Sequence, residues 1–148
     1  MRDRRSVAHG RGESPLESRR RLALRRYDLP APQPQAIIGN SWGGFVARVD
    51  FYWDEYGVVG EADGDIKYTK SASERSVGVT DSDDEPDPLV REKRRQTALE
   101  RLGLRVVRWG QRDLRRFDPV AAELRAAFER GVGPSSGRRN WTVLNPPL

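Results

Sequence analysis

Three carboxylates on two neighbouring predicted strands are the residues of this chain with the clearest chemistry. Asp50 lies in an alternating stretch that ends at Trp53, and Glu61 and Asp63 lie in the next such stretch. Because side chains alternate between the faces of a strand, Glu61 and Asp63 must project from the same side. Clustered acids repel one another unless a cation neutralises them, and Mg²⁺ prefers hard oxygen ligands. The pattern predicts a site where Asp50, Glu61 and Asp63 bind Mg²⁺ or Mn²⁺, with phosphodiester hydrolysis as its chemistry.

The composition narrows the choice of metal ligands and of partners. The chain has 148 residues, no cysteine, one histidine (His9) and a formal net charge of +5. Its size suits one domain, and its positive charge favours a polyanion such as DNA as partner. Without cysteine there is no disulfide or thiolate zinc site, and one histidine cannot form a histidine cluster, so any metal must rest on oxygen ligands.

No stretch of the sequence has the apolar length of a signal peptide or a membrane span. We therefore expect a soluble cytoplasmic protein with no membrane partner. We further expect a disordered basic lead over residues 1–13, a single domain over 14–131, and a loose tail over 132–148. The stretch 69–88, rich in Ser, Asp, Glu and Pro, is predicted to be a long surface loop.

Capping residues and apolar periodicity predict an alternation of helices and strands. The predicted order is a helix over 14–27, strands over 35–38, 45–53 and 58–63, a helix over 87–102, a strand over 105–109 and a helix over 118–130. The first three strands have short turns and predict an antiparallel meander. The strand, helix and strand that follow predict a right-handed parallel crossover, which gives a mixed four-stranded sheet flanked by helices, an α/β fold.

Alternation also predicts which side chains share a face of the second strand. Phe45, Ala47, Val49, Phe51 and Trp53 should lie on one face, with Asp50 on the other. Phe51 and Trp53 of this strand, together with Trp109, are expected to pack in the core rather than to stack on bases.

Several basic residues are candidates for binding nucleic acid. The crossover helix should begin near the carboxyl end of the third strand, so Arg91 and Arg95 would lie beside Glu61 and Asp63. The alternative for both arginines is that their stems simply cover apolar surface, and Arg108 is open to the same two interpretations. The arginines of the first helix, which form a run at 19–21 and recur at 25 and 26, indicate either a solvated face or a track for phosphates.

The order of elements and several motifs resemble the PD-(D/E)XK nuclease superfamily, in particular its very-short-patch-repair-like endonuclease branch. The residues that carry the resemblance are Val49-Asp50-Phe51, Val59-Gly60-Glu61-Ala62-Asp63-Gly64, Arg95 through Leu99, Gly103, and Val106-Val107-Arg108. The chain is also similar to actinobacterial domain-of-unknown-function proteins described as type IV abortive-infection antitoxin-like. Those relatives often have an N-terminal winged-helix DNA-binding domain, for which this sequence shows no segment, so we expect a shortened member or a fragment.

The resemblance implies a restriction-endonuclease-like αβββαβ core and assigns roles to individual residues. Asp50 and Glu61 match the metal-binding acids, whereas Asp63 stands where the superfamily motif has a lysine. Lys67 matches a basic group found a few residues further on. Glu17 matches an acid that some members direct at the metal, although its place in a capping box with Ser14 explains it equally well.

These implications leave two classes of function. The first is a Mg²⁺-dependent endonuclease-like domain that hydrolyses DNA, in which Lys67 or Arg95 stabilises charge in the transition state. The second is a non-catalytic DNA-binding or antitoxin-type domain that retains the nuclease fold and has a cognate toxin or another protein as partner.

Overall fold

The computed structural model describes residues 15–63 and 86–148, which form an α/β fold with a mixed sheet. The helices are α1 (Pro15–Arg26), α2 (Pro88–Arg101) and α3 (Asp118–Arg130), and the strands are β1 (Gln33–Asn40), β2 (Phe45–Trp53), β3 (Val58–Asp63), β4 (Arg105–Gly110) and β5 (Trp141–Val143). Short 3-10 helices cover Gln111–Leu114 and Pro134–Ser136. None of the helices in these two ranges has the length and apolar content needed to cross a bilayer.

The sheet has the strand order β4-β3-β2-β1-β5. Strands β1, β2 and β3 pair antiparallel, and β4 returns through α2 to pair parallel with β3, as the crossover pattern predicts. The predicted bounds of β2 and β3 are confirmed, and β1 is longer than predicted at both ends. The sheet nevertheless has five strands where four were predicted, because the C-terminal residues contribute β5.

Helix α2 has the ends that its sequence predicts. The carboxylate of Asp87 caps it by accepting the Leu89 backbone N–H at 3.0 Å, and Gly103, with φ of 100°, lies just beyond its last turn. The pair Asp118-Pro119 has the sequence order of a cap followed by the first helical residue, but Asp118 is not the cap of α3. Phe117 occupies the N-cap position, and the Asp118 carboxylate instead accepts a hydrogen bond from the Tyr27 hydroxyl at 2.9 Å.

The two faces of the sheet bury separate apolar clusters. The first lies under α1 and α3 and includes Phe51, Trp53, Trp109, Phe117 and Leu124; the second lies under α2 and includes Ile38, Val49, Tyr52, Leu99 and Trp141. The core role expected for Phe51, Trp53 and Trp109 is confirmed, since each is at most 5% exposed. The sheet therefore forms the middle layer of the described fold.

The prediction that alternate residues from Phe45 to Trp53 share one face is wrong. Val49 packs in the cluster under α2, whereas Phe51 packs in the cluster under α1 and α3. The change of side falls at Asp50, opposite which Gln35 of β1 adopts a φ of 50°. The left-handed conformation of Gln35 interrupts the regular pleat. Alternate residues of β2 therefore face one side of the sheet before Asp50 and the other side after it.

The C-terminal segment, expected to be loose, stabilises this irregular point. Strand β5 pairs with β1, and just beyond it the side chain of Asn145 accepts the Ile37 N–H at 2.7 Å and donates to the Gln35 carbonyl at 3.0 Å. An amide side chain thus supplies the hydrogen bonds that a regular strand would have given to β1.

Trp141 fixes β5 to the rest of the sheet. Its indole N–H donates to the Tyr52 hydroxyl at 2.9 Å, and that hydroxyl donates to Asp54 at 2.8 Å. Burial raises the pKa of Tyr52 to about 12, so the hydroxyl keeps its proton and remains a donor. The indole also lies against Gly57 and Gly103, where a Cβ atom would come within 3.0 and 3.3 Å of its ring, and both glycines have positive φ.

We expect Trp141→Ala to lower the free energy of unfolding by about 3–5 kcal/mol, because it removes a buried indole and leaves the Tyr52 hydroxyl without its donor. Urea denaturation followed by circular dichroism measures the change. Trp42→Ala is the matched control, since Trp42 is 94% exposed and Trp141 only 5%. Equal effects of the two substitutions would contradict the pinning role of Trp141.

Candidate active site

The candidate site lies where β2 and β3 separate. The two strands pair only from Phe51 with Gly60 to Trp53 with Val58, and beyond that point β3 pairs with β4 alone. The Asp50 carboxylate bridges the gap by accepting the Ala62 backbone N–H at 3.0 Å through Oδ2. Its Oδ1 atom accepts from the Gln35 side chain at 3.4 Å. Asp50 is therefore held at the fork, with its charge directed toward β3.

Glu61 lies on β3 beside this fork and is the one charged residue buried among those described, at 5% exposure. Burial raises the pKa of Glu61 to about 7; the charge of Asp50 adds to the rise, and the charge of Arg95 opposes it. The Asp50 carboxylate accepts the backbone N–H of Ala62, the residue that follows Glu61, so the two acids are neighbours at the fork. Such a pair holds excess negative charge in a poorly solvated place, which attracts cations.

Arg95 of α2 forms an ion pair with Glu61 and so compensates this negative charge. Its Nη2 atom lies 2.5 Å from Glu61 Oε1 and also donates to the Arg48 carbonyl of β2. Its Nη1 atom lies 3.1 Å from Glu92 Oε1, three residues earlier on the same helix. One guanidinium thus connects α2 to both strands of the fork.

Asp63, at the end of β3, belongs to the same charged network. Arg108 on the paired strand β4 lies 3.5 Å from Asp63 Oδ1 and 2.5 Å from Glu92 Oε1. Burial raises the pKa of Asp63, with smaller contributions from Glu92 and Asp50, and the charge of Arg108 opposes the shift. The chain of contacts therefore runs from Glu61 through Arg95, Glu92 and Arg108 to Asp63.

Three sequence-predicted residues remain, namely Arg91, Glu17 and Lys67. Arg91 is exposed on α2, and its side chain has no hydrogen bond or ion pair with any other described residue. Glu17 lies in the first turn of α1 and is partly buried, whereas Ser14, its predicted capping partner, falls outside the described residues. Lys67 and most of the predicted loop over 69–88 also fall outside them, as does the predicted lead over 1–13.

Glu92 is the functional candidate that the sequence reasoning missed. It joins Arg95 and Arg108, two of the three arginines of α2 and β4 predicted to bind nucleic acid, and holds both beside the acids. Its spacing of three from Arg95 is a helical pairing signal that could have found it. The contact with Arg108 comes from the crossover, which no local pattern reveals.

A basic cleft of about 550 Å³ lies between α1 and the segment that follows β4. Four exposed arginines contribute to its wall, and we call it the arginine cleft: Arg19, Arg26, Arg112 and Arg115. Gly110, which pairs with Asp63, immediately precedes the 3-10 helix that carries Arg112. Within residues 15–63 and 86–148, none of the four guanidinium groups pairs with a carboxylate, in contrast to Arg95 and Arg108.

Comparison of the chain with protein-family models, with curated proteins and with solved structures finds no match.

Two residues at the fork have side chains that suit a hard divalent cation. Asp50 and Glu61 offer only carboxylate oxygens, and Mg²⁺ is commonly bound by one or two carboxylates together with water and substrate phosphate. Among the residues that the structure describes, no group of three or more acid, histidine or cysteine side chains is arranged to hold an ion. In this arrangement Asp63 is paired with Arg108, and binding of a cation by Glu61 requires Arg95 to move away from it.

The raised pKa of Glu61 predicts a pH-dependent stability. A glutamate whose pKa is about 7 when folded and near 4.5 when unfolded binds its proton more tightly in the folded state. The stabilisation from that proton is complete below the unfolded pKa and is lost as the pH rises from about 4.5 to about 7. Its full size is at most about 3.5 kcal/mol, because each pKa unit corresponds to about 1.4 kcal/mol.

We therefore expect the free energy of unfolding of the wild-type protein, minus that of Glu61→Gln, to fall across this pH range. Urea denaturation at several pH values measures it, with the exposed Glu123→Gln as the control that leaves the wild-type profile unchanged. A wild-type minus Glu61→Gln difference that stays flat or rises with pH would show that folding does not favour the protonated side chain.

Proposed function

We propose that this protein is a Mg²⁺-dependent endonuclease-like domain that hydrolyses phosphodiester bonds of DNA. The observation that supports it most directly is the hydrogen bond that holds the Asp50 carboxylate against the backbone of Ala62, next to the buried Glu61, where β2 leaves β3. Two further observations agree with it: the order of helices and strands is that expected of a PD-(D/E)XK core, and the net charge is positive. Acids positioned at the end of a paired ladder, with arginines behind them, are suited to a phosphate substrate.

Asp50 and Glu61 would hold the ion, which supplies a water of lowered pKa and stabilises charge on the phosphate. Asp50 is suited to a fixed position, because the backbone N–H of Ala62 orients its carboxylate. Glu61 is suited to changing partners, because Arg95 already compensates its charge and can exchange with another cation. When Arg95 leaves Glu61, its guanidinium becomes free to bind the scissile phosphate.

Asp63 stands where the nuclease motif has a lysine, so charge stabilisation must come from other groups. Arg108 and Arg95 are both held near the acids by Glu92 and are the described cations that lie nearest. We assign them to substrate phosphate and leave Lys67 as the further basic group that the resemblance implies.

The arginine cleft extends the proposed substrate path away from the acids. Its four guanidinium groups are exposed, and none is neutralised by a described carboxylate, so each can release counterions from a nucleic-acid backbone. It adjoins the end of β3 through Gly110, and the charge of Arg20 on α1 already acts on Asp63. DNA lying in this cleft would therefore reach the fork.

Purified protein should nick supercoiled plasmid in the presence of Mg²⁺ or Mn²⁺ and not with EDTA. We expect Asp50→Ala and Glu61→Gln to lower the rate at least about 100-fold, since each removes a proposed ligand. Gel electrophoresis of a time course measures the rate. Glu123→Gln, an exposed charge change on α3, should cut like the wild type. Equal cutting by wild type and Asp50→Ala would rule out catalysis at this site.

We expect the double variant Arg112→Ala with Arg115→Ala to bind DNA more weakly and with a shallower dependence on salt. The slope of log affinity against log salt should fall by about 0.9 for each duplex phosphate that the variant no longer neutralises. Fluorescence anisotropy with a labelled duplex between about 50 and about 200 mM salt measures it.

The double variant Arg94→Ala with Arg101→Ala is the matched control. Both residues are exposed on α2, outside the arginine cleft, and their removal changes the net charge by the same amount. Identical slopes for the two double variants would show that charge alone, rather than the arginine cleft, determines binding.

A non-catalytic DNA-binding or antitoxin-type domain is the second candidate, and one observation favours it. Arg95 Nη2 lies 2.5 Å from Glu61 Oε1, so the buried charge of Glu61 has a cationic partner without a metal ion. This candidate predicts DNA binding that needs no metal and survives Glu61→Gln. A cognate toxin or another protein would then be the further partner.

A further inference from the structure

Trp42 is the most exposed aromatic side chain in the described part of the chain. It is 94% exposed, whereas the other three tryptophans, Trp53, Trp109 and Trp141, are 3%, 2% and 5% exposed. At such exposure both faces of the indole lie in solvent. A tryptophan is the largest apolar side chain a protein can leave in water, and this one has no structural role in the fold described above.

The turn that carries Trp42 is held by hydrogen bonds. Asn40 Oδ1 accepts the backbone N–H groups of Trp42 at 3.0 Å and of Gly44 at 2.8 Å, and the Asn40 backbone bonds to Gly43 and Gly44. Gly43 has a φ of 85°, and a Cβ atom on Gly44 would come within 2.8 Å of the Asn40 amide. The backbone beneath the indole is thus fixed, which lowers the entropy lost when the indole binds.

The turn also lies at the same end of the sheet as the acids. Strand β2 continues from Asp50 back to Phe45 without β3 beside it, so β1 and β2 form an arm that projects in the direction in which β3 ends. At about 3.4 Å per residue, the five residues from Phe45 to Asp50 span about 17 Å. This corresponds to about five nucleotide steps along a strand of B-form DNA.

The chemistry around Trp42 favours a nucleic-acid base over a protein surface. Ser41, Gly43 and Gly44 beside it add almost no side-chain area, and its large apolar neighbour along the chain is Phe45, which is 68% exposed. Residues 29–49 contain no Asp or Glu, and Arg48 is their one charged residue, so nothing in the arm repels a phosphate backbone. Exposed aromatic planes on an acid-free arm are an arrangement that stacks on bases.

We propose that Trp42 stacks on an unpaired base of the nucleic acid that occupies the acid fork. The inference rests on the proposed DNA partner and adds a second point of recognition at the tip of the arm, beyond Phe45. A single-stranded segment is the preferred ligand at the tip, because a base within a duplex would first have to be unstacked at a cost of a few kcal/mol.

Trp42 itself reports the test, because it alone among the four tryptophans is accessible to a quencher in solution. The full-length protein is titrated with a single-stranded oligonucleotide and with a blunt duplex, without divalent metal, while tryptophan emission and quenching by acrylamide are recorded. We expect the oligonucleotide to reduce emission and to protect the indole from acrylamide, and the duplex to do so less.

Anisotropy with a labelled oligonucleotide gives the corresponding affinities. Trp42→Ala should bind roughly 5- to 100-fold more weakly, and Trp42→Phe should retain most of the affinity while losing the emission change. Trp42 is exposed, so neither variant threatens folding, and circular dichroism verifies that both fold.

Binding of the oligonucleotide with unchanged emission and equal acrylamide access would overturn the inference, as would equal affinity of wild type and Trp42→Ala. Absence of any binding would also overturn it. Plasmid nicking is scored separately: cutting without a Trp42 response refutes the stacking role alone, and a Trp42 response without cutting refutes catalysis alone.

Discussion

One hydrogen bond, from the Ala62 backbone N–H to the Asp50 carboxylate, sets the geometry on which the rest of the site depends. It forms where the ladder between β2 and β3 ends, and it replaces a carbonyl acceptor by a charged one. The backbone donor is thereby satisfied, and a negative charge is fixed in the gap between two strands. Glu61 adds negative charge beside Asp50, and Arg95 compensates it.

The arginines and acids around the fork balance one another closely. Glu61 is buried, and Glu92 joins two arginines that would otherwise repel each other across the crossover. Removing a partner of a buried charge costs more than the pair contributes, so such a network tolerates exchange of partners better than their removal. A phosphate and a cation arriving together would provide that exchange without leaving Glu61 or Arg95 unpaired.

The local patterns of the sequence predicted the strands around the acids and both ends of α2. They could do so because capping residues, glycines and alternation act over a few residues, as Asp87, Gly103 and the run from Val58 to Asp63 illustrate. The reversal of face at Asp50 could not be predicted, since it depends on the left-handed conformation of Gln35 on another strand. The role of Trp141 and the contact of Glu92 with Arg108 escaped notice because their partners are distant in sequence, whereas the spacing of Glu92 from Arg95 was a local signal.

The pairing of β1 with the C-terminal region affects how the domain folds. Ile37 and Asn145 are separated by 108 positions, so the contact that supports Gln35 closes one of the longest loops in the chain. Closing such a loop carries an entropic cost that nearer contacts must first offset, which makes this pairing a late event in folding. During synthesis residues 33–40 emerge well before residues 141–145, so the edge of β1 that the C-terminal residues cover in the folded domain is open to pairing with other chains until they follow.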